Sequence, residues 1–137
     1  QQSLYAGIRL VKPGQSLRTI GKTIEQIAKA NRMSSVRDFC GHGIGSLFHE
    51  PDFQVLHYDY PDAEYDILEE GLTFTIEPMI NLGSYRTRIL ADDWTAVTAD
   101  RSYSAQYEHT ILVTRDGYEI LTLREDESLD DIVNGTL

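Results

Sequence analysis

Between Ser16 and Asn31 the residues Leu17, Ile20, Ile24, Ile27 and Ala28 recur at steps of three and four. That spacing draws one apolar stripe along an α-helix. Most of the stability of such a helix comes from packing the stripe on another apolar surface, so a chain carrying it must also build a sheet or a second helix to cover it. Ser16 suits the N-cap, where a hydroxyl takes up an otherwise unpaired N–H of the first turn.

The cover follows downstream. After residue 32, β-branched and aromatic residues alternate with polar ones and turn dipeptides recur at short intervals. The segment LTFTIEPMINLG predicts a strand with Leu72, Phe74 and Ile76 on one face and Thr73, Thr75 and Glu77 on the other. Pro78 lacks a backbone donor, so a strand end, bulge or edge is expected there. TAVTAD and QYEHTILVT predict further strands, and RDG before YEILTL predicts a tight hairpin. Upstream, Leu4, Ile8 and Val11 predict a first helix that Pro13-Gly14 stops. The expected class is α+β, two helices against a mainly antiparallel sheet.

The chain of 137 residues has the length of one domain and buries roughly two-thirds of its unfolded surface. With 41% apolar and 25% charged residues it has the make-up of a soluble globular protein. No apolar run reaches the ~20 residues that span a bilayer and no signal-peptide pattern opens the sequence, so a cytoplasmic setting without membrane contact is expected. The net charge of -10, with Lys12, Lys22 and Lys29 scattered, argues against direct nucleic-acid binding. The acidic run REDESLDD is expected to be a solvated face or tail. One cysteine, Cys40, excludes an internal disulfide and reads as a small buried hydrophobe. The sequence opens on Gln1-Gln2 without methionine, which suggests processing or a place within a longer protein.

Glu77 and Glu108 carry the chemical question, since each lies in an apolar, β-rich stretch where a carboxylate needs a partner. Upstream, GHGIGSLFHEP surrounds His42 with glycines and places His49 seven residues later. Imidazole and carboxylate donors together suit Mn, Fe, Co or Zn, and a bridging carboxylate lets two such ions activate one water. His49 suits an acid, a base, a donor to substrate or a plain surface residue. His57 and His109 are assigned to structural hydrogen bonding. A half-exposed structural role for either glutamate alone stays open on these features.

GHGIGSLFHEP, FTIEPMI and SAQYEHTILVT, in this order and separation, resemble the C-terminal half of the type I methionine aminopeptidases, dinuclear metallo-exopeptidases of the pita-bread fold (family M24). The resemblance runs from SLYAGIRLVKPG through YEILTL. Proline-specific relatives typically carry a glycine after Glu-Pro and an arginine near the last glutamate, whereas IEPMI and QYEHT here fit the methionine-specific branch. The resemblance implies that residues 1–137 are the C-terminal part of a metallo-aminopeptidase catalytic domain. It makes His42 and Glu77 ligands of one metal ion and Glu108 a bridge between two divalent ions, Co, Mn, Fe or Zn. It has His49 contact the scissile amide or stabilise the tetrahedral intermediate, gives Phe48 and Trp94 the shaping of a pocket for a methionine side chain, and leaves Glu77 as the local candidate for proton transfer. The glycines around His42 then let the backbone pass close to metal and substrate.

In this family two aspartates and a further histidine come from the N-terminal half and have no counterpart here; Asp38 and Asp52 are not promoted in their place. The metal site is therefore expected to be incomplete, with uncovered apolar sheet surface and strand edges. The partners implied are a peptide with N-terminal methionine, an N-terminal half of the same enzyme and the ribosome. The alternative function is a non-catalytic pita-bread module that docks peptides or proteins.

Overall fold

The computed structural model describes residues 1–128. Two helices, α1 (Gln2–Ile8) and α2 (Leu17–Ala30), precede ten short strands: β1 (Ser34–Ser35), β2 (Gly41–Gly43), β3 (Glu50–Val55), β4 (Thr73–Ile76), β5 (Met79–Asn81), β6 (Thr87–Ile89), β7 (Ala96–Thr98), β8 (Ser104–Gln106), β9 (His109–Val113) and β10 (Tyr118–Ile120). A single 3-10 turn spans Pro61–Tyr65.

The stripe of α2 forms as its spacing requires. Ser16 caps it, its Oγ accepting the Arg18 N–H at 3.1 Å, and Leu17, Ile20, Ile24 and Ala28 are buried. Ile27 remains half-buried and faces a surface groove. Burying each of the larger members contributes roughly 1.5–3 kcal/mol. They share one core with Leu4, Tyr5 and Ile8 of α1 and with Val55, Phe74, Ile76, Ile111 and Val113 of the sheet. The first helix ends earlier than Pro13-Gly14, at Ile8. Val11 still enters the core, because turn hydrogen bonds from Leu10 to Gly7 and from Val11 to Ile8 bring the chain back onto it.

Three antiparallel sheets follow. A five-stranded sheet has the order β10-β9-β4-β2-β3, a three-stranded sheet the order β1-β5-β8, and β6 and β7 form a separate ribbon. The expected LTFTIEPMINLG strand is two strands, broken at Glu77 and Pro78. The QYEHTILVT segment breaks likewise, at Tyr107 and Glu108, between β8 and β9. The α+β class holds, and Pro78 marks a strand end.

The edge strand β8 is exposed along Ser104–Gln106. Beside it a groove runs past Ile27, Met33, Ile80, Leu82, Tyr103 and Tyr107. Among the described residues this strand and groove are exposed.

The acidic run departs from expectation at its start. Glu127 is nearly buried, accepting hydrogen bonds from the Tyr5 hydroxyl and from Arg124 Nη1, the latter at 2.6 Å. Its Oε2 also lies 3.2 Å from His109 Nε2. Burial opposes its ionisation, but the bonds from Tyr5 and from Arg124, with His109 adding, hold its carboxyl down at about 2. The same contact, after burial itself, pushes the Tyr5 hydroxyl up to about 12. This clasp ties the segment after β10 to α1. Leu129, Asp130 and Asp131 of the acidic run lie outside the described residues.

Candidate metal centre and substrate cavity

The break in the strands positions the two glutamates. Pairing of β4 with β9 stops at Ile76 opposite His109, and pairing of β5 with β8 begins at Met79 opposite Gln106. Carried through the gap, the same register sets Glu77 against Glu108. Strand β2, on the other side of β4, brings in His42. Its Nε2 stands 3.8 Å from Glu77 Oε1, with both side chains about 15% exposed. All three residues line one cavity of about 700 Å3.

The local chemistry orients these groups. His42 Nδ1 lies 3.0 Å from the Gly43 carbonyl, which only accepts, so Nδ1 carries a proton and Nε2 is the nitrogen that faces Glu77. Thr75, fully buried, accepts the His42 N–H at 2.9 Å and donates its hydroxyl to Glu77 Oε1 at 2.8 Å. Gln106 Nε2 donates to Glu77 Oε2 at 3.3 Å, and the Glu77 N–H donates to His57 Nε2 at 3.1 Å. Burial raises the Glu77 carboxyl above the ordinary range; Thr75 works against this, Glu108 adds to it, and His42 opposes it. Burial pushes the His57 ring down to about 4, so the ring is neutral and free to accept.

Gly41 has a task within the sheet. A Cβ there would stand 2.2 Å from the Thr75 carbonyl oxygen, so the missing side chain lets β2 close on β4. Gly43 packs on Phe53 in the same way. The close approach is between strands.

His49 and Phe48 stand over His42, with ring centroids 4.1 and 5.4 Å from its imidazole, and both line the cavity. Cys40 also borders it, half-buried, its thiol pushed up by burial and by the Glu77 charge. Trp94 stands apart from the cavity lining. It is 86% exposed, at the tip of the β6–β7 ribbon, where Asp92 accepts the N–H groups of Trp94 and Thr95 at 3.1 and 2.9 Å.

One imidazole nitrogen facing a carboxylate, with a second carboxylate on the same cavity, matches in donor type what a divalent transition ion takes. His42 and Glu77 fit an ion as a pair. Glu108 borders it without closing the set: among the described residues no three His, Cys, Asp or Glu side chains form a group able to hold an ion.

His57 and His109 are buried hydrogen-bonding residues as expected, His109 Nδ1 lying 3.0 Å from Thr122 Oγ1. The roles of Thr75 and Gln106 had no signal of their own. The one available hint was the i, i+2 spacing that puts Thr75 and Glu77 on the same side of a strand.

The model of metallopeptidase family M24 matches residues 1–115, and the chain belongs to that family. It is similar to the methionine aminopeptidase of Salmonella typhimurium, 57% identical over 133 residues, covering 97% of this chain and 50% of the relative. The methionine aminopeptidase of Escherichia coli is 53% identical over 134 residues, covering 98% and 50%. Among solved structures, the methionine aminopeptidase of Rickettsia prowazekii superposes with a TM-score of 0.82 at 47% identity, over 88% of this chain and 48% of that one. The prolidase of Pyrococcus furiosus, at 23% identity and a TM-score of 0.59, shares the fold. This is the pita-bread fold, and the chain spans about half the length of the curated relatives it matches.

Proposed function

We propose that residues 1–137 are the C-terminal part of a metallo-aminopeptidase catalytic domain that removes N-terminal methionine from peptides whose second residue is small. The observation that carries this reading is the convergence of His42, Glu77 and Glu108 on one cavity, with Phe48 and His49 over it. His42 and Glu77 would hold one of two divalent ions, Co, Mn, Fe or Zn, and Glu108 would bridge to the second. The remaining ligands would come from an N-terminal half of the same enzyme. Such a pair of ions polarises a carbonyl and lowers the pKa of water.

The chain's own side chains do the rest. Glu77, held by Thr75 on one oxygen and Gln106 on the other, would take a proton from the attacking water and return it to the leaving amine. His49, exposed on the cavity wall, donates to the scissile amide oxygen. Phe48 offers an aromatic face to the methionine side chain, and Trp94 reaches the substrate only if peptide binding brings the ribbon tip inward. Nascent chains leaving the ribosome in the cytoplasm are the matching substrate pool. No helix among the described residues is long and apolar enough to cross a membrane.

The test is methionine release from Met-Ala-Ser with added Mn2+ or Co2+, by this chain alone and co-expressed with the N-terminal half of its Escherichia coli relative. Metal-dependent release that Glu108→Ala abolishes supports the proposal. Unchanged turnover in Glu108→Ala overturns the bridging role. Peptide binding without any metal uptake by elemental analysis supports the non-catalytic module instead.

A further inference from the structure

The Glu77 carboxylate is fixed by Thr75 and Gln106, but its backbone sits where two strands have just ended. Strand β4 stops at Ile76, Pro78 brings no donor, and β2 reaches only to Gly41. The Glu77 N–H therefore has no ladder partner. Its acceptor is a side chain from elsewhere in the sequence, His57 Nε2 at 3.1 Å.

The placement of His57 is itself built. Strand β3 ends at Val55, and the next residues run beneath α2. At Gly21 a Cβ would stand 2.5 Å from the carbonyl oxygens of both Leu56 and Tyr58, so the bare helix backbone presses on the peptide groups flanking His57. One turn on, Glu25 accepts the Asp59 N–H at 3.4 Å and pairs with Arg37 at 3.0 Å. The ring of His57 is 1% exposed, and its Nδ1 has no hydrogen-bond partner. Accepting through Nε2 fixes the proton on Nδ1, so an unpaired N–H is kept buried to leave the other nitrogen free. Buried donors are rarely left so. An apolar side chain would fill this space without that penalty, but it could not hold Glu77.

We propose that His57 is a positioning residue for Glu77: clamped by α2 through Gly21 and Glu25, it substitutes for the missing β-ladder acceptor and sets the direction in which the carboxylate enters the cavity. This rests on the reading of Glu77 as a metal ligand and proton carrier given above. Hydrogen-bond partners of a ligand typically tune metal affinity by ~10–100-fold.

The test compares His57→Gln, whose Oε1 can replace the Nε2 acceptor, with His57→Leu, whose side chain cannot. Amide hydrogen exchange at Glu77, followed by NMR, is expected to accelerate about tenfold or more in His57→Leu. Phe74 and Ile76 should keep their rates, and His57→Gln should return Glu77 close to the parent. With the N-terminal half of the Escherichia coli relative co-expressed, Mn2+ affinity by calorimetry should fall about tenfold in the leucine variant and recover with glutamine. If the leucine variant does not fold, His57→Asn takes its place, since it keeps polarity but falls short of the amide. Unchanged Glu77 exchange in a folded leucine or asparagine variant, or a glutamine variant no better than it, overturns the proposal. A parent chain that binds no Mn2+ even when co-expressed with the N-terminal half of its Escherichia coli relative overturns the ligand reading of Glu77 instead, and the amide measurement then still decides the positioning.

Discussion

Glu77 and Glu108 oppose each other at the gap where the β4–β9 pairing ends and the β5–β8 pairing begins. Neighbouring pairs in an antiparallel ladder stabilise when complementary and destabilise when they carry like charge. Two carboxylates in register are thus a standing cost to the fold unless a cation lies between them.

The first prediction follows from that cost. With a chelator present, Glu108→Gln should raise stability by roughly 0.2–1 kcal/mol in urea unfolding. Co-expressed with the N-terminal half of the Escherichia coli relative, the same variant should bind Mn2+ more weakly than the parent by calorimetry. A variant that is destabilised without metal would show that the two carboxylates do not repel.

Thr75 links both halves of the site, accepting from the His42 backbone and donating to Glu77. Thr75→Val keeps the shape and deletes the hydroxyl, leaving the His42 N–H without an acceptor in a buried place. The expected loss is about 1–3 kcal/mol in the urea unfolding free energy. Thr75→Ser should stay close to the parent.

The clasp at Glu127 sets an acid limit. The folded carboxyl is held at about 2, below its ordinary value of ~4.3 in an unfolded chain. The unfolded state therefore binds the proton first as pH falls. The clasp contributes fully above about pH 5, and its contribution declines as pH drops through ~4 toward 2. Urea midpoints measured across that window should fall more steeply for the parent than for Glu127→Gln, which has no proton to gain.

Trp94 is the chain's one tryptophan, and at 86% exposure on the ribbon tip it reports the surroundings of that tip alone. Its fluorescence should be solvent-like and readily quenched by acrylamide. Trp94→Ala should change stability by no more than ~0.5 kcal/mol. If peptides draw the ribbon over the cavity, a Met-Ala peptide should shift the emission to the blue.

The parts of this structure that carry long-period patterns were legible in the sequence. Helix α2 repeats its stripe over four turns and has a hydroxyl cap, so its limits fall within a residue of those expected. The gap at Glu77 was foreshadowed by Pro78. Strands β1, β2 and β6 have two or three residues each, too few for alternation to register. The packing of Gly41 on Thr75 was not legible for a related reason: a glycine marks a close approach, but the neighbour that approaches belongs to the tertiary fold. Thr75, Gln106 and His57 acquire meaning from pairing and hydrogen bonds formed across the chain. Glu127 was hidden by its charged neighbours, because an acidic run reads as solvated until a buried tyrosine is brought to it.

The strands β5 and β8 are closed by everything from Leu82 to Tyr103, the ribbon included, and none of that excursion takes part in the pairing that sets Glu77 against Glu108. Its length is therefore a free variable. Residues can be inserted or removed at the ribbon tip without altering the distance between the two acids, whereas a one-residue slip of β4 against β9 would move Glu77 off Glu108 and swap the faces of the strand. A reporter peptide or affinity tag grafted between Asp92 and Trp94 should accordingly leave the pairing of β4 with β9 and of β5 with β8 undisturbed.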